Sequence, residues 1–393
     1  MGYDRRMEEF DYLGEGEVYL DGASQSLRPR CVIDAVKDYY TKHNSCGERV
    51  KYKWGIVTDE KVEETRETVL KYLGFKAKKY TVSFTLNTTY GINLLLSQIN
   101  PSRFQKIVTS EIEHNSPFLA TMAFSKRTGL PREVLKREDD GSINEGSCDF
   151  SGAIVVVNCA SNFDGRKLVN LKSLTKTIHK AGGIIIIDAA QAMAHSAEVL
   201  SGIEVDAVCF SAHKLYAPSL GVIVWRDELV DYLEPWWLGG GMVDDVQKES
   251  FLLSAEGKEH RYTRFESGLQ AWGEIVGLGA ALKWLMRVPK SDWKSFEKNY
   301  KELYEFLAES PKVHMVNLEA NPTMSFYVEG MDSHLLGAAL SRENIMARTG
   351  YFCAHYYLDH VLGLQPLVRF SLGLHNRESD IEKVKKVMEK IIH

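Results

Sequence analysis

The chain has 393 residues, of which 44% are hydrophobic and 26% are charged, and its formal net charge is -5. This length exceeds what a single core usually serves, so we expect one large and one smaller domain. The mixed charges exclude a strongly basic surface for nucleic acid or membrane. No apolar run approaches the ~20 residues that span a bilayer, and Met1–Phe10 is too charged for a signal peptide. We therefore expect a cytoplasmic protein.

The cysteines carry no metal-binding pattern. They are scattered along the chain, without a CxxC pair and without the Cys/His spacing of a zinc site. We therefore expect most of them to be buried thiols, and no structural metal site. The six are Cys31, Cys46, Cys148, Cys159, Cys209 and Cys353.

The middle of the chain alternates short β-branched runs with longer amphipathic stretches. Alternating strands and helices, with strands that are apolar throughout, predict an α/β fold whose mostly parallel sheet is covered on both faces. The predicted strands are Thr81–Thr85, Lys106–Thr109, Ala153–Asn158, Gly183–Asp188, Ala207–Ser211 and Gly221–Trp225. The predicted helices between them are Tyr90–Gln98, Asn115–Thr128 and Asn170–Ala181.

The C-terminal part has a different pattern, which predicts a small α+β domain. We assign residues 15–285 to the large domain and 286–393 to the small one, joined by the N-terminal segment 1–14. Polar, turn-rich composition predicts loops at Asp139–Ser147 and Gly239–Arg261. The later predicted elements are helices Gln270–Arg287 and Lys290–Ser310, strands His314–Leu318, Thr323–Val328 and Leu367–Ser371, and a final helix Glu378–Ile392.

One lysine follows a predicted strand in a context that suits a phosphate-bearing cofactor. Lys214 ends the run Cys209–Lys214, and ligands of α/β sheets bind at the carboxyl ends of the strands. Ser211 and His213 lie beside it, and both side chains can hold a phosphate group. A lone lysine is usually a solvated surface residue, but these neighbours favour a cofactor lysine.

An acid ends the most apolar strand, Gly183–Asp188. A buried carboxylate is costly unless it is paired, and a protonated pyridine nitrogen would pair with it and act as an electron sink. Asp188 by itself could instead cap the next helix. Because Lys214 lies 26 residues downstream, about one strand–helix–strand unit, the two residues together predict a pyridoxal phosphate (PLP) site.

Two further segments end a strand and open a helix. Thr88 and Thr89 offer hydroxyls and backbone N–H groups at a helix N-terminus, where anions bind, although Asn-Thr-Thr is also an ordinary cap. His114 is a candidate to stack on a cofactor ring. No G-x-G-x-x-G follows a strand and no G-x-x-x-x-G-K-[ST] is present, so a dinucleotide site or a P-loop has no support.

Taken together, these segments resemble the class V branch of fold-type I PLP enzymes, and most of all the cysteine desulfurases that mobilise sulfur. The resemblance covers nearly the whole chain. Its Ser-x-His-Lys and Arg-Thr-Gly-x-x-Cys-Ala elements are specific in combination. The matching segments are Tyr19–Ser24, Asn87–Thr89, Glu113–His114, Asn162, Asp188–Gln191, Ser211–Lys214, Arg264–Gly268, Arg348–Ala354 and Arg369.

The resemblance implies a role for each matching residue. Lys214 carries PLP as a Schiff base, Asp188 pairs with the pyridine nitrogen, and Gln191 bonds the phenolic oxygen. His114 stacks on the ring and also belongs to the catalytic residues. The phosphate and the rest of the cofactor are implied to contact Thr88, Thr89, Ser211, His213 and Asn162. The implied substrate-binding residues are Asn162, Arg348 and Arg369, since an arginine fork grips a carboxylate with two hydrogen bonds.

The implied activity removes sulfur from L-cysteine and yields L-alanine and a persulfide on Cys353. Lys214 is the implied base for the Cα proton, and the Cys353 thiolate attacks the substrate sulfur. The resemblance also implies a homodimer and a sulfur-acceptor protein, as in iron–sulfur cluster assembly. An iron–sulfur scaffold, a sulfur carrier and a tRNA-modifying enzyme all remain open as acceptors.

The chain departs from the family pattern at several positions. Leu269 stands where related enzymes carry a threonine that contacts the neighbouring subunit's phosphate. Tyr351 and Phe352 stand where paired histidines precede the cysteine, and Asn115 stands in place of a second histidine. The usual Asp-x-Ala-Ala-Thr/Ser element near the N-terminus is Asp21-Gly22-Ala23-Ser24. These changes leave the cofactor chemistry intact and bear on the substrate and the sulfur acceptor.

Two other classes of function remain open. The chain could keep the cofactor and act as an aminotransferase, a selenocysteine lyase, another C–S lyase or a molybdenum-cofactor sulfurase-like enzyme. It could also be a binding module that holds a phosphorylated ligand or a sulfur-transfer partner without catalysis. The aromatic pairs Trp236-Trp237 and Tyr356-Tyr357 favour core or subunit interface over a substrate cage, and for Trp236-Trp237 we expect an interface.

Overall fold

The computed structural model describes residues 8–47, 50–254 and 258–392. Its strands are β1 (Val18–Tyr19), β2 (Tyr80–Thr85), β3 (Lys106–Ser110), β4 (Arg132–Leu135), β5 (Ala153–Asn158), β6 (Ile184–Asp188), β7 (Ala207–Ser211), β8 (Gly221–Arg226), β9 (Val243–Val246), β10 (Phe251–Leu253), β11 (Val313–Met315), β12 (Thr323–Val328), β13 (Ile345–Met346), β14 (Arg348–Gly350) and β15 (Leu367–Ser371). Its α-helices are α1 (Arg30–Lys42), α2 (Lys53–Leu73), α3 (Thr88–Gln98), α4 (Asn115–Thr128), α5 (Leu171–Lys180), α6 (Trp272–Leu285), α7 (Lys290–Glu309), α8 (Ser333–Arg342) and α9 (Glu378–Ile392). No helix among these residues is long and apolar enough to cross a lipid bilayer.

A seven-stranded sheet in the order β2-β8-β7-β6-β5-β3-β4 forms the centre of the molecule. Strand β8 runs antiparallel to both of its neighbours, and the other strands are parallel to one another. This confirms the α/β fold with a mostly parallel sheet.

Strand β6 shows why the sheet is buried on both faces. Successive side chains of a strand point to opposite faces. Ile184 and Ile186 pack in one hydrophobic cluster, while Ile185 and Ile187 pack in another, and all four are at most 3% exposed. A continuous isoleucine run therefore supplies both layers of the core at once.

Because most strands run in the same direction, the polar residues at their carboxyl ends lie at one edge of the sheet. Strands β2, β3, β5, β6 and β7 all deliver their carboxyl ends to that edge. Asn158 and Asp188 lie directly opposite each other in the β5–β6 register. The chain continues from these ends into the segments that hold Thr88, His114 and Lys214.

A second, antiparallel sheet of order β11-β12-β15-β14 lies in the C-terminal part. Its register places Arg348 of β14 opposite Arg369 of β15. The N-terminal segment joins this part, because β1 pairs in parallel with β13 and Asp21 forms a bridge with Ser371. The domain limits predicted at residues 15, 285 and 286 stay a prediction.

The prediction of one long loop over Gly239–Arg261 is wrong. Strands β9 and β10 form a hairpin there, closed by a hydrogen bond from the Gln247 amide to the Ser250 carbonyl (2.8 Å). The polar composition of the turn between the two strands outweighed the β-forming residues Val243, Val246 and Phe251 in the sequence pattern, so the strands were not predicted. Strand β4 and helices α1 and α2 were also not predicted.

The prediction that most cysteines are buried is wrong as well. Cys209 is buried in the middle of β7 and Cys159 directly after β5, Cys148 is half-buried, and Cys31, Cys46 and Cys353 are exposed. All six are free thiols. The exposed three lie on helix α1 or in connecting segments, where burial is not imposed by the sheet.

The two aromatic pairs have different environments. Tyr357 is 6% exposed and stacks on Phe163, whereas Tyr356 is partly exposed and stacks on Phe118. Trp236 and Trp237 are 73% and 54% exposed, so they are surface residues of this chain. Tyr357 is thus a core residue, as expected for such a pair.

A buried ion pair ties the segment before α6 to the edge strand β2. The Arg66 guanidinium donates to both carboxylate oxygens of Glu266 (2.7 and 2.8 Å), and Glu266 also accepts from the Phe84 amide (2.6 Å). Both charged residues are at most 6% exposed. Each group neutralises the charge of the other and accepts or donates its hydrogen bonds, which is why both can be buried.

Replacing Arg66 by alanine leaves the Glu266 carboxylate buried without the positive charge of Arg66. We expect the free energy of unfolding to fall by about 3–5 kcal/mol. Urea unfolding followed by tryptophan fluorescence measures this loss. Glu63 is an exposed partner of the same arginine (3.0 Å), so Glu63→Ala is the control and should cost less than about 1 kcal/mol. Equal losses in the two variants would show that the buried Arg66–Glu266 pair does not stabilise the fold.

Candidate active site

A cavity of about 310 Å³ opens at the carboxyl edge of the large sheet. Every residue that the sequence predicted for the site lines it. They are Thr88, Thr89, His114, Asn162, Asp188, Gln191, Ser211, His213, Lys214, Arg348, Cys353 and Arg369. The structure therefore brings these residues together, while their individual roles remain predictions.

Lys214 and Asp188 are opposite charges in a desolvated environment. Burial lowers the pKa of Lys214 to about 8, and the nearby Asp188 carboxylate limits that fall. Burial raises the pKa of Asp188, opposed by a hydrogen bond from the Ala190 amide (2.9 Å) and by Lys214. Within the described residues Asp188 has no salt-bridge partner. A buried carboxylate in this state attracts a cationic ligand group.

Hydroxyl groups cluster at the N-terminus of α3. The Thr88 amide donates to Ser211 Oγ (2.9 Å), and the two hydroxyls of these residues are 2.7 Å apart. The Thr89 hydroxyl lies 2.6 Å from that of Ser116. Hydroxyls and free amides at a helix start, with its positive dipole end, form an anion site.

Both histidines of the cavity are neutral at physiological pH. Burial, with the positive charges of Lys214 and Arg369, lowers the pKa of His114 to about 3. Burial and Lys214 lower the pKa of His213 to about 4. The Ser116 amide donates to His114 Nδ1 (3.0 Å), which places that ring proton on Nε2. An uncharged imidazole can stack on an aromatic ring without a charge penalty.

Arg369 connects the two sheets at the cavity. It donates to the Asn162 carbonyl (2.7 Å), to the Ser24 hydroxyl (2.7 Å) and to the Asp21 carboxylate (3.2 Å). Only 3% of the residue is exposed, and within the described residues its Nε has no partner. Arg348 is more exposed and lies 3.9 Å from Asp21. The guanidinium groups make this side of the cavity suited to a carboxylate.

Cys353 is exposed and lines the cavity. Its backbone carbonyl accepts a hydrogen bond from the Asn115 amide (2.6 Å). The Asn162 side chain donates to the Phe352 carbonyl, and the Arg369 guanidinium lies over the Phe352 ring (4.8 Å). The thiol is thus accessible on a segment whose backbone is held by the walls of the cavity.

Sequence reasoning assigned no role to several residues that shape the site. Ser116 bonds Thr89 and lies 2.8 Å from His114 Nδ1, Asp21 and Ser24 bond Arg369, and Asn158 lines the wall. Ser116 could have been found by the signal used for Thr88, a hydroxyl in the first turn of a helix. Asp21 and Ser24 had no such signal, since their partner lies far along the chain.

The cavity has complementary groups for each part of PLP. Asp188 is a buried carboxylate without a salt-bridge partner among the described residues, which suits the pyridine nitrogen. The hydroxyl cluster at α3 suits the phosphate, and the Lys214 amine with its lowered pKa suits a carbonyl. Gln191 donates one amide hydrogen to the Ala23 carbonyl (2.8 Å) and retains another. No group of three or more potential metal ligands occurs among the described residues.

Known proteins of the same length and fold resemble this chain. It is 30% identical over 391 residues to a probable cysteine desulfurase of Chlamydia muridarum, with 95% of this chain and 94% of that one covered. It is 27% identical over 388 residues to a probable cysteine desulfurase of Pyrococcus abyssi, with coverages of 95% and 94%. The solved apo structure of a cysteine desulfurase from Thermococcus onnurineus is 28% identical, with a TM-score of 0.86 and coverages of 96% and 95%.

The family pattern described as Aminotransferase class-V matches residues 18–384, nearly the whole chain. This match confirms the resemblance predicted from the sequence. Together with the residues that line the cavity, this match also confirms PLP as the cofactor. The chain belongs to the Aminotransferase class-V family.

Proposed function

We propose that the protein is a PLP-dependent cysteine desulfurase, which converts L-cysteine to L-alanine and leaves a persulfide on Cys353. The observation that carries this proposal is the presence of an accessible thiol and a lysine of lowered pKa in one cavity. The names of the relatives from Chlamydia muridarum and Pyrococcus abyssi support it.

The arginine side of the cavity orients the substrate in this proposal. Among the described residues Arg369 Nε has no partner and is available for the substrate carboxylate, while the Asn162 carbonyl holds one terminal nitrogen and Asp21 and Ser24 hold the other. A fixed guanidinium loses little freedom when it binds a carboxylate. Its burial removes competing water, which strengthens the contact.

Lys214 moves the proton. When bound, PLP supplies an electron sink for the charge that develops at the substrate Cα. The Lys214 amine, with a pKa of about 8, takes the Cα proton and holds it within the cavity. Asp188, at the end of β6, supplies the negative charge that stabilises a protonated ring nitrogen.

Cys353 receives the sulfur. Its thiolate attacks the substrate sulfur, a new S–S bond forms, and the Cβ–S bond breaks with its electron pair left on carbon. Protons returned to Cα and Cβ complete alanine. Transfer of the persulfide sulfur to an acceptor protein, including iron–sulfur cluster assembly, belongs to the same proposal.

Substituting Cys353 by alanine tests the assignment of the nucleophile. We expect loss of alanine and sulfide production by at least about 100-fold, because no other thiol lines the cavity within the described residues. The PLP absorbance band should persist, since Cys353 is not needed to bind the cofactor. Unchanged turnover of L-cysteine would contradict the proposal and favour an aminotransferase or another C–S lyase.

The lowered pKa of Lys214 predicts how the PLP-free protein captures its cofactor. Only the neutral amine reacts with a carbonyl, so the capture rate should rise about tenfold per pH unit below pH 8 and level above it. Stopped-flow absorbance after mixing with PLP measures this profile.

Two variants serve as controls for the pH profile. Lys214→Ala should show no covalent capture. Asp188→Asn removes the charge that supports protonated Lys214, so the midpoint should move to lower pH. A rate that continues to rise up to the ordinary lysine pKa of 10.5 would contradict the assignment.

A homodimer belongs to the proposed function, and an exposed apolar surface supports it. Leu269 and Trp236 are 80% and 73% exposed. The segments that carry them touch, because the Gly268 amide donates to the Gly240 carbonyl (2.8 Å). Exposed apolar side chains on adjoining segments are a feature of subunit interfaces.

Substituting Leu269 by arginine should weaken the dimer. A charge buried at an interface without a partner costs enough to raise the dissociation constant by at least about tenfold. Sedimentation velocity across a dilution series measures this. Leu335, a 69% exposed leucine on α8, provides the control Leu335→Arg, which should leave the association unchanged. Equal behaviour of the two variants would contradict this interface.

A further inference from the structure

The segment that carries Cys353 has a strained backbone. Phe352 and Cys353 have φ angles of +49° and +59°, so two successive residues with side chains lie in the left-handed region. Residues other than glycine rarely adopt this region, because Cβ approaches the backbone carbonyl. Such a conformation persists only where surrounding contacts impose it.

The contacts that impose it are hydrogen bonds to both strained residues. The backbone N–H of Asn115, at the start of α4, donates to the Cys353 carbonyl (2.6 Å). The Asn162 side-chain amide donates to the Phe352 carbonyl. A turn bond from the Ala354 amide to the Tyr351 carbonyl (2.8 Å) closes the segment.

The two asparagines are themselves fixed. Asn162 is 5% exposed, and its backbone carbonyl accepts from Arg369 (2.7 Å). Arg369 also covers the Phe352 ring, which is 8% exposed. The Asn115 side chain lies 3.1 Å from His355 Nδ1, on the other side of the cysteine. Phe352 and Cys353 are therefore contacted from three sides: by Asn162 after β5, by Asn115 of α4 and by Arg369 of β15.

We propose that Asn115 and Asn162 are positioning residues for Cys353, which together hold its backbone in the left-handed conformation that presents the thiol to the Lys214 cavity. Asn115 acts through its backbone N–H, and Asn162 acts through its side chain. The proposal rests on the proposed function in one respect, that Cys353 is the nucleophile. It adds a use for Asn162 beyond the binding of a substrate carboxylate.

Helix α4 offers a substitution that removes the backbone bond, and a second one that controls for the loss of the Asn115 side chain. Asn115 is the first residue of α4, and His114 before it has φ -57° and ψ 150°. Proline is favoured at the first helical position and requires this extended geometry in the preceding residue. Asn115→Pro therefore replaces the N–H that holds Cys353 with a ring carbon, which breaks the bond and displaces the Cys353 carbonyl without disfavouring the helix. Asn115→Ala keeps the N–H and loses only the contact with His355.

The two hydrogen bonds from Asn115 and Asn162 to the Cys353 segment form what we call the clamp. Hydrogen exchange of the Ala354 amide reports on the clamp in the PLP-loaded full chain without substrate. We expect exchange in Asn115→Pro to be at least about tenfold faster than in the natural protein, and exchange in Asn115→Ala to stay within about threefold. Amides in the middle of α4 should exchange alike in all three, which checks that the helix is intact. Equal Ala354 exchange in Asn115→Pro and the natural protein would overturn the role of Asn115.

Steady-state kinetics separates positioning from binding. A displaced thiol lowers kcat for L-cysteine and leaves KM unchanged in Asn115→Pro, because the substrate still binds. Asn162→Ala should speed Ala354 exchange as well as lower kcat. A raised KM with unchanged Ala354 exchange would show that Asn162 serves the substrate alone and would overturn its role in the clamp.

The exchange experiment is independent of the proposed reaction. It is measured without substrate, so it tests the clamp whether or not Cys353 accepts sulfur. Failure of the proposed function appears instead as sustained sulfide release by Cys353→Ala. The two failures are therefore distinguishable.

Discussion

The site depends on one constraint: charged groups at the carboxyl edge of a buried parallel sheet must be neutralised or paired. Desolvation acts on Asp188 and Lys214 in opposite directions, raising one pKa and lowering the other. Each group limits the shift of the other, yet Asp188 has no salt-bridge partner within the described residues. A cofactor with a basic ring nitrogen would pair with Asp188, and its carbonyl would react with the Lys214 amine. Burial of these two residues therefore underlies both the pKa shifts and the fit to such a cofactor.

The same constraint explains the arginines. Arg66 is buried because Glu266 takes both of its terminal nitrogens, and Arg369 is buried because Asp21 offsets its desolvation. The first pair has its charges satisfied and holds the fold together. Arg369 keeps Nε without a partner within the described residues, so it retains binding capacity. Of these two arginines, only Arg369 lines the cavity.

Strain at Cys353 is a second property that the walls of the cavity support. The bonds to Phe352 and Cys353 come from α4 and from the segment after β5, both of which continue from carboxyl ends of the large sheet. The segments that follow the sheet edge therefore carry Lys214 and also the hydrogen-bond donors to the backbone that bears the thiol. A rigid frame around a nucleophile limits the reorganisation that a reaction requires.

Much of the fold could be predicted because its signals are local. The limits of β5, β7, α4 and α9 were predicted to the residue, since apolar runs and caps specify them. The hairpin of β9 and β10 was missed because a charged turn interrupts short strands with exposed side chains. The burial of the cysteines was mispredicted because the exposure of Cys31 and Cys46 depends on which face of the fold they reach.

The sequence by itself predicted a mostly parallel sheet and a site with Lys214 and Asp188, because strand patterns and the residues that follow strands are encoded in consecutive residues. The resemblance of its motifs predicted the family. Only the tertiary structure decided the contacts between distant segments. It joined Asp21 to Arg369, Ser116 to Thr89, and Asn115 and Asn162 to the Cys353 segment. It also decided the pKa of Lys214, since desolvation depends on what surrounds a side chain and not on its neighbours in the chain.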